Sequence, residues 1–295
     1  MKKITAENTK ILVCCHKKTD LPEDKIFLPV QVGSAISDKD LGFQKDDELE
    51  GKSCENISEK NKSYCELTAL FWAWKNLKKL YPDVKYVGLN HYRRYFSFNQ
   101  KKSFIDAIQK KEKYVTDYKI NYKKLNKIMS KKDMIVAKRK TYKYSLFLDY
   151  CECHISDDIR TLQKIIHEKC PEYDQAFYSV ICRNNKLSHY NMFITDYENF
   201  NKYCDWLFSI LAECENRINI ENYNPVQKRI FGYMAERLFN VWIKKNNLKV
   251  KRLNVYMFTD KINRNSFIKR MLSNLKKNIS AFAIRPVRRH PVFED

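Results

Sequence analysis

The chain has 295 residues, 44% of them apolar and 14% aromatic. That is enough for a sizeable core in one large domain or two small ones, and it excludes a disordered chain. The formal net charge of +21 points to anionic partners: nucleic acid, an anionic membrane surface or phosphate-bearing substrates. The ten cysteines form no CxxC pair and read as small buried hydrophobes in a reducing compartment. Cys151-Glu152-Cys153-His154 is the one cluster with zinc-ligand character, and no second ligand pair accompanies it. The first residues lack an apolar signal region and no run of 18 apolar residues occurs, so the chain reads as cytoplasmic.

In chain order, residues 10–15 are a short apolar run that predicts a buried strand, leaving into the basic His16-Lys17-Lys18. Residues 28–33 suit a short strand or an extended loop. The polar stretch 37–63 is long for a loop in a compact domain, which marks it as functional or mobile. Ser63 and Glu66 fit a capping box for a helix over 63–80, with Leu67, Leu70, Phe71, Trp74, Leu77 and Leu80 at helical spacing. Trp72 and Trp74 fall on different faces of that helix, so one belongs to the core. Pro82 ends it. A strand over 84–89 follows and breaks into Asn90-His91-Tyr92-Arg93-Arg94.

Residues 101–128 predict helical pieces of an insertion, 133–137 a third buried strand, and 145–170 helix. A further helix is expected from Pro171 to about Val180. Residues 190–195 read as a strand, and 197–218 as a long amphipathic helix carrying Phe200, Tyr203, Leu207, Leu211 and Cys214 on one face. Pro225 suits a helix start, and that helix runs to about Asn246. Beyond it the character changes: residues 244–292 hold fourteen Lys or Arg against one acid, Asp260. Phe267, Ile268, Met271, Leu272, Leu275, Ile279 and Phe282 recur there at helical spacing, which reads as a basic amphipathic helix for a membrane surface. An ordinary helix docked on the domain is the alternative.

Several motifs in one order resemble a known family. They are Cys15-His16-Lys17-Lys18, Leu28-Pro29-Val30-Gln31-Val32-Gly33, Asn56-Ile57-Ser58 through Asn61, Cys65-Glu66-Leu67-Thr68 and Trp72-Ala73-Trp74-Lys75-Asn76. Gly88 through Phe96 follows, then Asn191-Met192-Phe193, Arg229-Ile230-Phe231-Gly232, and Glu236 through Trp242. Over about residues 10–255 the chain resembles bacterial capsular and exopolysaccharide glycosyltransferases, first catalogued as a domain of unknown function.

The resemblance implies a GT-A-like, Rossmann-like α/β fold: an open mixed sheet flanked by helices over 1–255, with a basic helical extension over 256–295. It also implies transfer of a hexosyl group, galactose or galactofuranose, from a UDP-sugar to a saccharide acceptor of capsule, exopolysaccharide or lipopolysaccharide synthesis. That acceptor is commonly lipid-linked, and the basic tail would hold the enzyme on the cytoplasmic face of the inner membrane. A basic nucleic-acid-binding protein is the competing reading, although no nucleic-acid motif is present.

The residues expected at a nucleotide-sugar site are His16, Lys17, Gln31, Asn61, Glu66, Asn90, His91, Arg93, Arg94 and Asn191. Glu66 has the competing role of capping partner. Where GT-A enzymes commonly carry Asp-x-Asp for a divalent metal, this chain reads His91-Tyr92-Arg93. Carboxylates suit a hard cation, whereas guanidinium groups neutralise a diphosphate directly. No resident cofactor or metal is therefore expected, manganese or magnesium being the less favoured alternative. Glu236, with His91, is the catalytic expectation, Glu236 as the base on the acceptor hydroxyl. Asp149 and His154 are alternates for that base. His154, Arg229 and Arg237 are expected around the acceptor or behind the site, and an ion pair of Glu236 with Arg229 or Arg237 is the structural alternative.

Overall fold

The computed structural model describes residues 3–98, 109–110, 115–116 and 118–258. The chain divides into two compact units. The first takes residues up to Lys138, Tyr190–Phe208 and the stretch from Leu248; the second takes Arg139–His189 and Ser209–Asn247. The boundary expected at 255/256 falls inside a strand, and residues 259–295 lie outside the described residues.

In the first unit the elements are β1 (Thr9–Cys15), β2 (Phe27–Gln31), β3 (Gln44–Lys45), β4 (Glu48–Leu49), β5 (Lys52–Ser53), α1 (Asn61–Tyr64), α2 (Leu67–Leu80), β6 (Tyr86–His91), β7 (Arg94–Phe96), β8 (Gln109–Lys110), α3 (Tyr122–Met129) and β9 (Met134–Ala137). The second unit contributes β10 (Arg139–Thr141), α4 (Leu146–Cys153), α5 (Ser156–Lys169), α6 (Asp174–Phe177) and β11 (Lys186–Ser188). The chain then forms β12 (Phe193–Asp196) in the first unit, α7 (Tyr197–Arg217), which runs on into the second, α8 (Ile230–Lys245) in the second, and β13 (Val250–Leu253) and β14 (Val255–Phe258) back in the first.

The first unit is built on one mixed sheet in the order β13-β9-β12-β6-β1-β2-β3, with β7, β14 and β8 branching from β6. β1, β2, β3 and β6 run parallel, and β12 enters antiparallel between β6 and β9. Every residue of β1 is buried, as the unbroken apolar run required of a strand covered on both faces. Because side chains alternate, Ile11, Val13 and Cys15 enter one core with Leu125 and Met129 of α3. Cys14 faces the other way, its thiol 3.9 Å from the Glu66 carbonyl at the start of α2. Trp72 is fully buried on α2 and donates to the Glu48 carbonyl at 2.9 Å, so it is the core tryptophan of the pair. Gly88 leaves no room for a side chain between β6 and β12: a Cβ there would lie 2.9 Å from the Phe193 carbonyl oxygen.

The second unit packs α4, α5, α6 and α8 with the two-stranded β10–β11 ribbon. Its buried residues include Leu146, Ile159, Leu162, Ile166, Phe231 and Leu238.

Several expectations are corrected. The helix over 63–80 is two helices, because Cys65 at φ 53°, ψ −128° breaks the path between α1 and α2. Ser63 is then no N-cap; its hydroxyl donates to the Lys60 carbonyl, and Glu66 itself occupies the N-cap of α2 without a side-chain capping bond. The basic exit after residue 89 is not a loop: β6 continues to His91 and turns straight back as β7. The helix over 145–170 breaks at His154–Ile155 into α4 and α5. Of the expected basic extension over 256–295, residues 256–258 belong to β14 of the central sheet. Of the expected insertion over 101–128, α3 and β8 are described, while residues 101–108, 111–114 and 117 lie outside the described residues.

Candidate active site

Parallel register brings three strand ends to one edge. Cys14 pairs with His91 and Cys15 with Gln31, so β1, β2 and β6 finish side by side. β12 runs the other way, with Phe193 opposite Leu89, so the residues just before it return to the same edge. Those residues are Tyr190 and Asn191, both in the left-handed region at φ 72° and 51°. Non-glycine residues held there in succession mark a locally over-determined backbone, as found at ligand sites.

The β6–β7 turn explains how the basic motif is divided. His91 pairs with Arg94, leaving Tyr92 and Arg93 as the two turn residues. The turn is tied down at both ends: the Tyr92 amide donates to the Cys14 carbonyl at 3.1 Å, and the Phe258 amide to the Arg93 carbonyl at 2.9 Å. The buried Tyr92 ring becomes a hub. His16 meets it edge-on at 5.0 Å, Lys17 Nζ lies 5.6 Å from its centre, and the Arg93 guanidinium carbon 5.4 Å. All three basic side chains are exposed. Cation–π attraction holds Lys17 and Arg93 against this ring.

Residues opposite each other in an antiparallel pair share a face, so His91 and Arg94 point the same way. His91 Nε2 is 2.8 Å from the Tyr190 carbonyl oxygen, and the Arg94 guanidinium lies 4.6 Å over the Tyr190 ring. Arg94 Nε is buried with no hydrogen-bond acceptor among the described residues. Burial pushes its pKa down, opposed by Tyr190 and Glu66 and reinforced by Arg93. Beside it, Asn191 donates its amide to Glu66 Oε1 at 2.8 Å. Because a carboxylate only accepts, that bond turns Asn191 Oδ1 away from Glu66, where it is buried with no hydrogen-bond partner among the described residues.

The other expected residues fall elsewhere. Asn90 is 1% exposed and pairs with Val13, so it points to the opposite face from His91, with Oδ1 unpartnered among the described residues. Gln31 spends both polar ends on its own loop, donating to the Lys39 carbonyl and accepting from the Leu41 amide. Asn61 donates to the Cys65 carbonyl and Thr68 Oγ1, shaping the break between α1 and α2. Sequence reasoning passed over Asp46, which is fully buried. It accepts from the Gly33 and Ser34 amides and from the Ser34 and Ser58 hydroxyls. It thereby folds the polar 33–60 stretch onto the end of β2. A lone buried acid in a polar loop carries no sequence signal that separates it from its solvated neighbours.

The second unit holds its own cluster. The Glu236 carboxylate lies 3.6 Å from His189 Nδ1. Arg237, 4% exposed, lies over Tyr150 at 4.6 Å and faces Asp149 at 3.6 Å. Burial still pushes the Asp149 carboxyl up, against the pull of Arg237. Arg229 sits 5.6 Å over the Tyr233 ring. His154 stacks on the same Tyr233 at 4.2 Å and meets Gln227 Oε1 through Nδ1 at 3.1 Å. Gln227 Nε2 donates to the Cys153 carbonyl, which leaves its oxygen facing the imidazole and assigns the proton to His154 Nδ1. His154 is thus engaged as a ring in an aromatic stack, and no group of three or more His, Cys, Asp or Glu arranged to hold a metal occurs among the described residues.

In the first unit an open cleft lined by Lys78, Pro82, Asp83, Lys85, Tyr197 and Asn201 lies at the opposite, amino edge of β6. No described helix is long and apolar enough to cross a membrane.

No curated protein matches the chain by sequence. A solved structure described as the bifunctional glycosyltransferase WbbM in its apo form is similar, with a TM-score of 0.73 and 30% identity. The match covers 85% of this chain and 45% of that one, so the chain spans less than half of that protein's length. Residues 10–247 match the family described as a domain of unknown function, DUF4422, and the chain belongs to that family.

Proposed function

We propose that the chain is a glycosyltransferase that moves a hexosyl group, galactose or galactofuranose, from a UDP-sugar to a saccharide acceptor of capsule, exopolysaccharide or lipopolysaccharide synthesis. The similarity to a glycosyltransferase structure and the carboxyl-edge geometry support this reading. One observation carries it. Four basic side chains, His16, Lys17, Arg93 and Arg94, are held on two tyrosine rings at the ends of parallel strands. A nucleoside diphosphate brings negative oxygens to these cations, and guanidinium forks match them.

The donor set favours direct neutralisation over a metal. At this edge Glu66 is engaged by Asn191 and Asp46 is taken up by the Gly33 and Ser34 amides and the Ser34 and Ser58 hydroxyls, while Arg94 and Tyr190 beside Glu66 offer a hard cation no ligand. Arg93 and Arg94 take the charge that develops on UDP as its bond to the sugar breaks. Glu66 and Asn191 orient the donor. Glu236 supplies the carboxylate that drives deprotonation of the acceptor hydroxyl. The basic tail brings the enzyme to anionic lipid carrying a lipid-linked acceptor.

A thermal-shift panel of UDP-sugars, each with and without EDTA, tests the reading. Stabilisation by a UDP-hexose that survives EDTA is expected, because a ligand of the folded state raises Tm. Loss of the shift in EDTA with recovery in manganese would overturn direct neutralisation. Steeply salt-dependent retention of RNA or DNA with no UDP-sugar effect would favour the nucleic-acid reading instead.

A further inference from the structure

The carboxyl edge of the first unit holds two buried polar atoms of opposite character. Asn191 Oδ1 is an acceptor and Arg94 Nε a donor, and neither has a hydrogen-bond partner among the described residues. Asn191 is 1% exposed. A buried polar atom left unpaired is costly, so each such atom in a native fold calls for a reason. The two belong to one group of side chains. Asn191 Nδ2 donates to Glu66 Oε1 at 2.8 Å, Arg94 lies over the ring of Tyr190, the residue before Asn191, and the charge of Glu66 acts on Arg94.

Glu66 fixes which end of the Asn191 amide faces the site. An amide can present either its oxygen or its nitrogen, but a carboxylate only accepts, so the nitrogen is committed to Glu66 and the oxygen is left for another partner. Glu66 is held independently of that bond. The Asn61 side chain donates to the Cys65 carbonyl at 2.7 Å, Cys65 turns the chain at φ 53°, and the Glu66 carbonyl accepts from the Leu70 amide at 3.3 Å in the first turn of α2. Asn191 is held from the other side, since β12 follows it with Phe193 in register with Leu89. Asparagine is also a residue that tolerates the left-handed backbone found here at φ 51°. That role alone does not require a carboxylate 125 residues away to set the side chain. A fixed acceptor beside a fixed cation suits a ligand that carries a hydroxyl close to a negative oxygen, and a sugar joined to a diphosphate has both.

We infer that Asn191 Oδ1 reads one hydroxyl of the donor sugar, admitted past the half-buried Tyr190 ring, and that Glu66 is the positioning residue that keeps the amide oxygen toward it. This rests on the transferase reading and deepens it. The donor is a sugar hydroxylated at one defined position, with its phosphate oxygens toward Arg94. An analogue that lacks that hydroxyl is rejected because the buried oxygen then stays unpaired. Glu66 itself does not touch the sugar; it acts through Asn191.

The test is titration calorimetry on the full-length chain with UDP, with the UDP-hexose that gives the largest thermal shift, and with the monodeoxy analogues of that donor. In the wild type one analogue should bind about 10- to 100-fold more weakly than its parent. Asn191→Gly keeps the left-handed backbone and removes the amide. It should bring the affinity for the parent down to that for the discriminated analogue and leave the affinity for UDP within a factor of a few, because Asn191 meets the sugar and not the diphosphate. Glu66→Gln offers an N–H as well as an oxygen, so the Asn191 amide loses its fixed orientation. The ratio of parent to analogue affinity should then fall, again with UDP binding retained. Equal binding of the parent and every monodeoxy analogue to the wild type would overturn the inference and leave the transferase reading intact, and it is the result expected if a fixed water pairs with the oxygen instead. Loss of UDP and UDP-hexose affinity by the same factor in Asn191→Gly, with unchanged circular dichroism, would also overturn it and mark Asn191 as structural. Failure of the wild-type chain to bind any UDP-hexose would remove the transferase reading and this inference with it.

Discussion

Arg93 and Arg94 are adjacent in sequence yet belong to different surroundings, because the turn places one at its tip and the other on the return strand. Arg93 is exposed over Tyr92, whereas Arg94 is sunk against Tyr190 with Nε unpartnered. A phosphate oxygen at Arg94 therefore gains a charge-assisted bond in a drier environment than one at Arg93. Arg94→Met should weaken UDP binding by about 10- to 100-fold, corresponding to about 1.5–3 kcal/mol for a hydrogen bond to a charged group. Arg94→Lys should recover little of it, since an ammonium neither forks nor stacks flat on the ring. Titration calorimetry with UDP measures both, and equal affinity in Arg94→Met would remove Arg94 from the site.

His154 gives a residue-scale prediction of a different kind. Burial pushes its pKa below the ordinary 6.5, opposed by the bond to Gln227 and the charge of Glu236, with Arg237 adding to the fall. The folded state therefore binds this proton less readily than the unfolded chain does. The sign follows: its contribution to stability is present above the unfolded value and is lost as pH falls from about 6.5 toward the lower folded value. His154→Phe keeps an aromatic ring against Tyr233 and removes the titration. Urea midpoints between pH 7 and pH 5 should then fall less steeply in the variant than in the wild type. Parallel slopes would show that other groups set the acid sensitivity.

At the scale of elements, the sequence announced what periodicity and apolar runs can encode. β1, β9, α7 and α8 lie where their patterns put them, and the order strand, helix, strand through β1, α2 and β6 was legible from the start. What escaped was determined by partners distant in the chain. β10 and β11 are three-residue strands with exposed, basic positions that exist because they pair with each other. β13 and β14 sit in a basic stretch and become strands by pairing with β9 and β7. The break at Cys65 overrode a well-formed capping-box signal, and it freed Glu66 to meet Asn191, 125 residues away. Of the expected site, His91, Arg94, Glu66 and Asn191 come together on one face, and Gln31 and Asn61 turn inward to build loops. Asp46 tests this loop architecture. Asp46→Ala strips partners from two amides and two hydroxyls, so it should cost about 2–4 kcal/mol by urea unfolding. Gly88→Ala should be comparably severe, at about 1–3 kcal/mol, because its methyl group would press on the β12 backbone in mid-sheet. Either variant unfolding at the wild-type midpoint would contradict the packing described for that element.

At the scale of the whole molecule, charge is unevenly distributed along the chain. Residues 244–292 carry fourteen of the 56 basic residues and one acid, a surplus of thirteen out of the net +21. Beyond residue 258 the sequence holds nine Lys or Arg against Asp260, Glu294 and Asp295. Residues 262–295 lie outside the described residues, and their sequence alternates Lys and Arg with Phe267, Met271, Leu275 and Phe282 at helical spacing. Each basic residue near an anionic leaflet contributes about 1 kcal/mol, and the apolar face adds burial in the interface. The full chain should co-sediment with vesicles containing phosphatidylglycerol and not with purely zwitterionic ones. Salt should weaken that binding, since the attraction falls off within a Debye length. Deleting 262–295 should abolish co-sedimentation while leaving the UDP-sugar thermal shift in place, because the donor groups all belong to the described part of the first unit. Unchanged vesicle binding after the deletion would remove the tail from membrane attachment. Loss of the UDP-sugar shift would instead tie the tail to the fold of the sheet, extending the role already taken by β13 and β14.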